Sequence, residues 1–296
     1  MSAAPRSALA AMVAGAALIS TTSLFVRFAD VPPTVSAFYR TAIGGLALLA
    51  GLLALRRWRP GGWRAAGLML LPALAFAVDL WLWHRSIHRI GPGLATLLGN
   101  FQVFLMALAG VWLYRERLGL RFIAGLALAF AGLWLLVGRG WGGFDADYRG
   151  GVVLGIATGV AYAVYMLTFR QAQRGRLDLS AAQWLCLNSL LCAAMLGAVG
   201  LGEGVSFAVP DVQSWLSLLG LGLVGQVLGW VLIARAMPQL PASLVGLLLL
   251  LQPLLSFVFD VLLLARPTVA LDWAGLAVSL IGIFVASVRV PAAGKG

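Results

Sequence analysis

Three ionisable residues, Arg40, Asp79 and Asp260, stand inside long apolar runs and are the first candidates for chemistry. A charge at membrane depth is costly and usually marks a ligand path, a proton relay or a paired contact. Arg40 with either aspartate would form a buried ion pair that stabilises a gate or receives a zwitterion's charged ends. A titrating carboxylate could instead couple movement to protons, and Asp79 is the better candidate. The structural alternatives are that Asp260 snorkels to the outer interface and that Arg40 anchors neighbouring helices.

A second group of polar and aromatic side chains lies near the middle of several apolar runs. If each run is a helix that rises about 1.5 Å per residue, most of these side chains share one depth. Amides would orient a ligand there, and aromatic faces would stack on it. The alternative for any single residue is a hydrogen bond that joins two helices, but a shared depth favours a cavity for the set. We predict a ligand cavity lined by Asp79, Trp83, Asn100, Gln102, Tyr162, Tyr165, Trp184, Asn188, Gln226 and Gln252.

The sequence offers no metal, cofactor or nucleophilic centre. His84 and His88 stand four residues apart without a nearby carboxylate or cysteine in sequence, so an interfacial position explains them better than a metal site. Cys186 and Cys192 face different sides of one helix and are expected to be buried free thiols. The glycine-rich stretch 151–159 lacks the lysine of a P-loop. We therefore predict no metal, no cofactor and no enzymatic activity.

The composition requires a lipid environment. Of 296 residues, 61% are hydrophobic and 10% are charged, and the mean hydropathy is +0.97. A soluble domain is roughly 45–50% apolar and about 25% charged. The net charge of +11 comes from short arginine clusters between apolar runs, which is typical of membrane topology rather than of nucleic-acid binding. The expected partner is the lipid bilayer, and no nucleic acid is expected.

The elements that must position these residues are membrane-spanning helices, each of about 20 mostly apolar residues. The first apolar run is too long for an ordinary signal-peptide core and counts as a helix. The predicted fold class is therefore all-α integral membrane, with ten transmembrane helices. Their predicted ranges are 8–28, 34–55, 65–84, 92–114, 119–138, 150–169, 181–201, 214–235, 241–264 and 270–288.

Charge asymmetry between the connections predicts their sides. With the N-terminus inside, most arginines fall in the inner connections and most acidic residues in the outer ones. The densest basic cluster, Arg56, Arg57, Arg59 and Arg64, follows the second helix. We therefore expect both termini on the cytoplasmic side of a bacterial-type inner (plasma) membrane.

The ends of the two halves match at a constant offset of 150 residues. Gln102 corresponds to Gln252, and residues 124–127 read AGLA, as do residues 274–277. Each half holds five predicted spans, an odd number, so the second half must run antiparallel to the first. We predict a five-helix repeat at 1–140 and an inverted five-helix repeat at 141–296. Transporters are often built from such repeats, with a substrate site between them near the midplane.

These segments resemble the drug/metabolite transporter superfamily, of the ten-helix EamA type. The resemblance rests on residues 38–40 (FYR), on 91–118 with its closing YRERL, and on 252–253 (QP). The chain departs from the family at Val103, where proline is usual, at Arg115, where glycine is usual, and at 266–268, where the second copy has no glutamate. It also reads Ser-Thr-Thr at 20–22 in place of a Trp-Gly pair.

The resemblance implies a secondary transporter, and the aromatic richness suggests the exporters of aromatic amino acids within the superfamily. The leading hypothesis is export of small organic metabolites, chiefly aromatic or neutral amino acids, by alternating access around the midplane cavity. The alternative is a drug or cationic-metabolite exporter in which Asp79 is the cation or proton site. A lipid-acting membrane enzyme would need a convergent acid–base set, and a receptor or structural subunit would show no flux. A monomer suffices, because one chain carries both repeats.

Overall fold

The computed structural model describes residues 3–59, 61–114, 119–173, 177–236, 239 and 248–287. Most of these residues are helical, and they include no β-strand. A π-helical segment spans Gly220–Gly229, and a short 3-10 helix spans Gly138–Gly140. The α-helices are α1 (Ala3–Ser20), α2 (Thr22–Phe28), α3 (Pro33–Ala54), α4 (Gly62–Ile90), α5 (Pro92–Gly99), α6 (Gln102–Tyr114), α7 (Leu120–Leu136), α8 (Ala146–Gln173), α9 (Ala181–Gly202), α10 (Val212–Leu219), α11 (Trp230–Ala236), α12 (Leu251–Leu263) and α13 (Ala270–Ser287).

Six helical runs within the described ranges are long and apolar enough to cross a bilayer. They are Ser7–Phe28, Pro33–Ala54, Gly62–Ile90, Ala146–Gln173, Ala181–Gly202 and Val212–Ile233. Shorter apolar helices lie at Pro92–Met106, Leu120–Leu136, Leu251–Leu263 and Ala270–Ala286. The prediction of an all-helical membrane protein is confirmed at this level. Residues 241–247 of the predicted ninth helix and residues 115–118 of the YRERL turn lie outside the described residues.

Two predicted helices are interrupted where polar residues compete for backbone hydrogen bonds. The first breaks at Thr21, where the hydroxyls of Ser20, Thr21 and Thr22 donate to carbonyls three residues earlier, at 2.6, 2.7 and 2.6 Å. Such local bonds offer the backbone an alternative to the helical ladder. The fourth predicted helix breaks at residues 100–101, between α5 and α6, and a turn at Leu250 precedes α12 at the equivalent place. Both breaks lie inside predicted spans, and the first span is still a single apolar run, Ser7–Phe28, that is long enough to cross a bilayer.

The helices pack in a regular set of pairs. Helix α3 packs along α9, α4 along α8, α5 against α12, and α1 against α11 and the π-helical segment. Helices α7 and α13 run antiparallel with their glycines in backbone contact, which permits close approach in lipid. The facing pairs are Gly125 with Gly282, Ala129 with Ser279, and Gly132 with Gly275.

One carboxylate ties three helix ends together at the predicted outer face. Glu203, just after α9, accepts hydrogen bonds from Thr34 Oγ1 at 2.6 Å, Trp81 Nε1 at 2.9 Å and Arg85 Nη2 at 2.7 Å. The Arg85 guanidinium also lies 3.8 Å from the Trp81 ring centroid. The start of α3 and the ends of α4 and α9 are thereby held together.

One of the two histidines predicted to be interfacial is buried between helices. His84 is fully buried between α3 and α4, and its Nδ1 lies 2.7 Å from Ser36 Oγ. This hydrogen bond joins the two helices. Helix α4 extends to Ile90, six residues past the predicted end at 84, so His84 lies inside the helix and not at its end.

Candidate functional site

A cavity of about 90 Å³ lies where α1–α5, α8, α11 and α12 meet. Its volume corresponds to about three liquid waters at roughly 30 Å³ each. Ordinary ligand pockets are larger, from about 300 Å³. The predicted site residues that line this cavity are Arg40, Asp79, Trp83, Asn100, Tyr162 and Gln252.

Arg40 sits in the second turn of α3 and is only 6% exposed. Its Nε donates to Gln226 Oε1 at 3.4 Å, and Gln226 Nε2 in turn donates to Ser189 Oγ at 3.2 Å. The guanidinium carbon lies 5.4 Å from the Trp83 ring centroid, within cation–π range. Neutral groups thus hold the arginine, and its charge has no carboxylate within 4.0 Å among the described residues.

Asp79 is the opposite charge in the same cavity, on α4, and is 5% exposed. No described residue forms a hydrogen bond or an ion pair with its carboxylate. Arg40 lines the same cavity but makes no direct contact with Asp79. The buried ion pair considered for Arg40 therefore does not form, and two opposite charges line one cavity without pairing.

Asp260, the third predicted charge, lies away from this cavity. It is 3% exposed and accepts hydrogen bonds from Arg266 Nη1 at 3.1 Å and from the Gly93 backbone N–H at 3.2 Å. Arg266 also donates to the Ile90 carbonyl at 2.9 Å. Asp260 therefore neither snorkels nor meets Arg40; it ties the end of α12 to the turn between α4 and α5.

The aromatic residues form one continuous wall. Tyr162 lines the cavity, and Tyr165 stacks behind it with ring centroids 5.9 Å apart. Tyr165 also stacks on Phe76, at 4.5 Å, and Phe76 again lines the cavity. Trp83 lies on the same helix as Asp79, one turn further on. Stacked rings give this side of the cavity a rigid apolar face.

The remaining predicted amides support the cavity from behind or lie elsewhere. Gln226, on the π-helical segment, is fully buried and positions Arg40. Gln102 lies beside the Tyr162 hydroxyl, and its Oε1 is buried without a hydrogen-bond partner among the described residues. Asn188 is fully buried, and neither polar atom of its amide has a partner in the described part of the chain. Trp184 packs in an apolar cluster with Met69 and its neighbours, outside the cavity lining.

Several serine and threonine hydroxyl groups, which were not predicted from the sequence, also line the cavity. Serine and threonine are common in membrane helices, where they bond to their own backbone, so their presence carries little signal. The Ser-Thr-Thr departure at 20–22 was the one available sign. Ser256 Oγ, 3.1 Å from Ser23 Oγ, donates to the Ser20 carbonyl at 3.1 Å and joins α12 to the break in α1–α2. The hydroxyl-bearing lining residues are Ser20, Thr22, Thr96, Thr158 and Ser256.

The arrangement is a small mixed cavity between apolar helices. Among the residues that the structure describes, no group of three or more His, Cys, Asp or Glu side chains is placed to hold a metal. Opposite charges, amides, hydroxyls and an aromatic wall can bind and orient a small amphipathic molecule.

Comparison with known proteins decides the family. The sequence model of the EamA-like transporter family matches residues 6–138 and matches again at 149–288. The chain belongs to the EamA-like transporter family. The resemblance to EamA-type proteins in the drug/metabolite transporter superfamily is thus confirmed, as is the expectation of a transporter rather than an enzyme.

Curated relatives of this EamA-like transporter are themselves described as transporters. An uncharacterized transporter of Haemophilus influenzae is 26% identical over 236 residues, covering 75% of this chain and 72% of the relative. The uncharacterized transporter YwfM of Bacillus subtilis is 23% identical over 260 residues, covering 86% and 84%. The uncharacterized transporter sll0355 of Synechocystis is 23% identical over 281 residues, covering 88% and 83%.

The fold also matches a solved structure. One crystal structure superposes with a TM-score of 0.63 at 22% sequence identity, covering 96% of this chain and 98% of the other. At that identity the match concerns the fold alone. The nearly full coverage of both chains is consistent with a common helical architecture along the whole length.

Proposed function

We propose that this EamA-like transporter exports small zwitterionic metabolites, chiefly aromatic or neutral amino acids, by alternating access around the Arg40–Asp79 cavity. One observation carries the substrate class. Two opposite charges, each more than 90% buried, face one cavity without pairing with each other. A zwitterion would place its carboxylate at Arg40 and its ammonium at Asp79, and an aromatic side chain would lie on the Tyr162 wall. The buried charges would then be compensated by the substrate itself.

The proposed architecture is two inverted five-helix repeats, at 1–140 and 141–296, that form ten transmembrane helices. The α7–α13 contact supports it, because Gly125 meets the equivalent of Gly132, and Gly132 meets the equivalent of Gly125. Ala129 and Ser279, which are equivalent at the 150-residue offset, bond to each other. A self-complementary contact of this kind is expected on a two-fold axis. The cavity would lie between the repeats, with both termini on the cytoplasmic side of a bacterial-type inner membrane and one chain sufficient for transport.

Flux from liposomes tests this proposal directly. Purified protein would be reconstituted into liposomes loaded with labelled phenylalanine, tryptophan, alanine or a cationic dye, with and without a pH gradient. Selective efflux of the amino acids is expected. Arg40→Gln and Asp79→Asn should each weaken substrate binding about thirtyfold, since each removes a buried charge contact that contributes about 2 kcal/mol or more. Asp147→Asn, an exposed carboxylate outside the cavity, is the matched control.

Substrate analogues separate the two charged positions. Phenethylamine lacks the carboxylate, so its competition with phenylalanine should be unchanged by Arg40→Gln and lost in Asp79→Asn. Phenylpropionate lacks the amine and should show the reverse pattern. If both variants affect both analogues equally while remaining folded, the zwitterion assignment is wrong.

The alternative is a drug or cationic-metabolite exporter, favoured by the absence of any bonded partner for Asp79 among the described residues. In that case the dye alone would move, and Asp79→Asn would abolish its flux. Asp79→Asn should also remove any effect of the pH gradient if this carboxylate carries protons. A pH response that survives Asp79→Asn would exclude that role.

A further inference from the structure

A second, strongly basic cavity lies at the end of α3 that is opposite to Glu203. Its volume is about 400 Å³, and its walls are the turn after α3 and the segment that precedes α9. The lining residues are Arg56, Arg57, Arg59, Asp178, Leu179 and Ser180. Charge asymmetry predicts that this face is cytoplasmic. None of these residues lines the Arg40–Asp79 cavity.

Arg59 joins the two walls of this cavity. The Arg59 guanidinium pairs with the Asp178 carboxylate and also donates to the Asp178 carbonyl at 3.1 Å. The fully buried amide of Gln183 accepts from the Arg59 backbone N–H at 3.2 Å and donates to the Arg59 carbonyl. The turn is thereby clamped to the first turn of α9. Asp178, the one acidic lining residue in the described part of the chain, is used in this clamp.

The other two arginines are left without anionic partners. No described residue forms a hydrogen bond or an ion pair with the guanidinium of Arg56 or Arg57. The cavity therefore carries two uncompensated positive charges. Residues 174–176, outside the described residues, read Arg-Gly-Arg and add no acidic group.

The backbone at Arg56 is of a kind that usually selects glycine. Helix α3 ends in a Schellman motif, with the Arg56 N–H bonded to the Leu53 carbonyl at 3.0 Å and the Arg57 N–H bonded to the Leu52 carbonyl at 2.8 Å. Arg56 takes the left-handed position of this motif, with φ of 53°. A side chain there is disfavoured relative to glycine. An arginine kept in such a position suggests a role for its side chain.

Exposed apolar residues flank the arginines of the cavity in sequence. Leu53 and Leu55, on the last turn of α3, are 55% and 65% exposed, and Trp63, at the start of α4, is 81% exposed. Exposed aliphatic residues next to a tryptophan and a basic cluster are typical of the boundary between hydrocarbon and headgroups. The cavity thus lies at the level where phospholipid phosphates are found.

We infer that this cavity binds the phosphate of an anionic phospholipid headgroup between the guanidinium groups of Arg56 and Arg57. Arginine matches phosphate geometry through paired N–H donors. Basic pockets between helices on the cytoplasmic side are suited to such headgroups. A bound lipid would link the end of α3 to the start of α9 in addition to the Arg59–Asp178 clamp.

The test measures lipid binding by the full-length, delipidated protein in detergent, using native mass spectrometry. Phosphatidylglycerol and phosphatidylcholine with the same acyl chains are titrated separately. Phosphatidylglycerol should bind more tightly, and Arg57→Gln should weaken it about fivefold, the effect of about 1 kcal/mol per arginine. Arg56→Gly should weaken it equally while leaving the melting temperature unchanged or raised, because glycine suits the left-handed backbone. This variant separates loss of binding from loss of folding.

Arg64→Gln is the matched control, because Arg64 belongs to the same basic cluster but does not line the cavity. Phosphatidylglycerol should bind to Arg64→Gln as tightly as to the wild type. An equal loss in Arg64→Gln would mean diffuse attraction to the cluster and would overturn the proposed site. Equal binding of phosphatidylglycerol and phosphatidylcholine would also overturn the proposed site. If inorganic phosphate displaces phosphatidylglycerol at equal concentration, the ligand of this cavity is a soluble phosphate and not a lipid.

Discussion

The contact between α7 and α13 makes a quantitative prediction about glycine in this protein. Replacing Gly132 by alanine would place a Cβ atom 2.4 Å from the Ser279 backbone nitrogen and 2.5 Å from the Gly275 carbonyl oxygen. Ordinary van der Waals contact begins at 3.4 Å. Both obstructing atoms are backbone, so no side-chain rotation relieves the overlap. The helices must separate by close to 1 Å, the difference between these distances.

The expected cost is about 1–3 kcal/mol, the usual range for overpacking. It is partly offset by the helical preference of alanine over glycine, about 1 kcal/mol. Gly67→Ala is the matched control, since Gly67 lies inside α4 and a Cβ added there would meet no described atom within 4 Å. Gly67→Ala should therefore be neutral or stabilising, and the two variants should differ by about 1–3 kcal/mol.

The assay is the free energy of unfolding of each variant in mixed micelles of mild detergent and sodium dodecyl sulfate, followed by circular dichroism. Gly282→Ala should behave like Gly132→Ala, because its Cβ would lie 2.3 Å from the Ala129 backbone nitrogen, at the equivalent position of the other half. The reasoning is refuted if Gly132→Ala is as stable as Gly67→Ala. A large effect at Gly132 with none at Gly282 would contradict the proposed two-fold arrangement of these helices.

Two further predictions concern polar groups. Partial burial alone would raise the pKa of Glu203, but hydrogen bonds from Thr34 and Trp81 and the charge of Arg85 lower it below its ordinary value of 4.5. A lowered folded-state pKa means stabilisation above the unfolded-state pKa that is lost as the pH falls through the folded value. Wild type should therefore melt at a higher temperature than Glu203→Gln at pH 7, and the gap should close as the pH falls below the lowered pKa of Glu203; a gap independent of pH would contradict this role. Asn188→Leu should stabilise the protein by about 1–3 kcal/mol, because it removes two buried atoms without hydrogen bonds to described residues. Destabilisation with loss of flux would indicate instead that Asn188 is bonded in another transport state.

Local sequence predicts the helices well, for clear physical reasons. A long apolar run in lipid must satisfy its own backbone hydrogen bonds, so Pro33–Ala54 and Ala181–Gly202 could hardly be other than helices. Pro33 and Pro92 begin helices because a proline at the first turn loses no intrahelical bond. Two matches to one family model also follow from sequence alone, as the 150-residue offset indicated.

The direction in which each polar side chain points around its helix could not be predicted from the sequence. Gln226 and Gln252 both lie near the middle of their predicted helices. Gln252 lines the cavity, whereas Gln226 lies outside the lining and accepts a hydrogen bond from Arg40. Depth depends on distance along a helix, whereas the direction of a side chain depends on helical phase and on the neighbouring helices. The breaks at Thr21 and at residues 100–101, and the π-helical segment, change that phase locally.

Sequence by itself determined the membrane environment, the helical class, the internal repeat and the transporter family, because these depend on hydropathy and on order along the chain. Tertiary structure alone decided which charges meet. Arg266 is six residues from Asp260 in sequence and pairs with it, while Arg40 faces Asp79 across a cavity without contact. The physical reason is that a contact between charges depends on where the chain turns and on how the helices pack, and hydropathy carries no information about either.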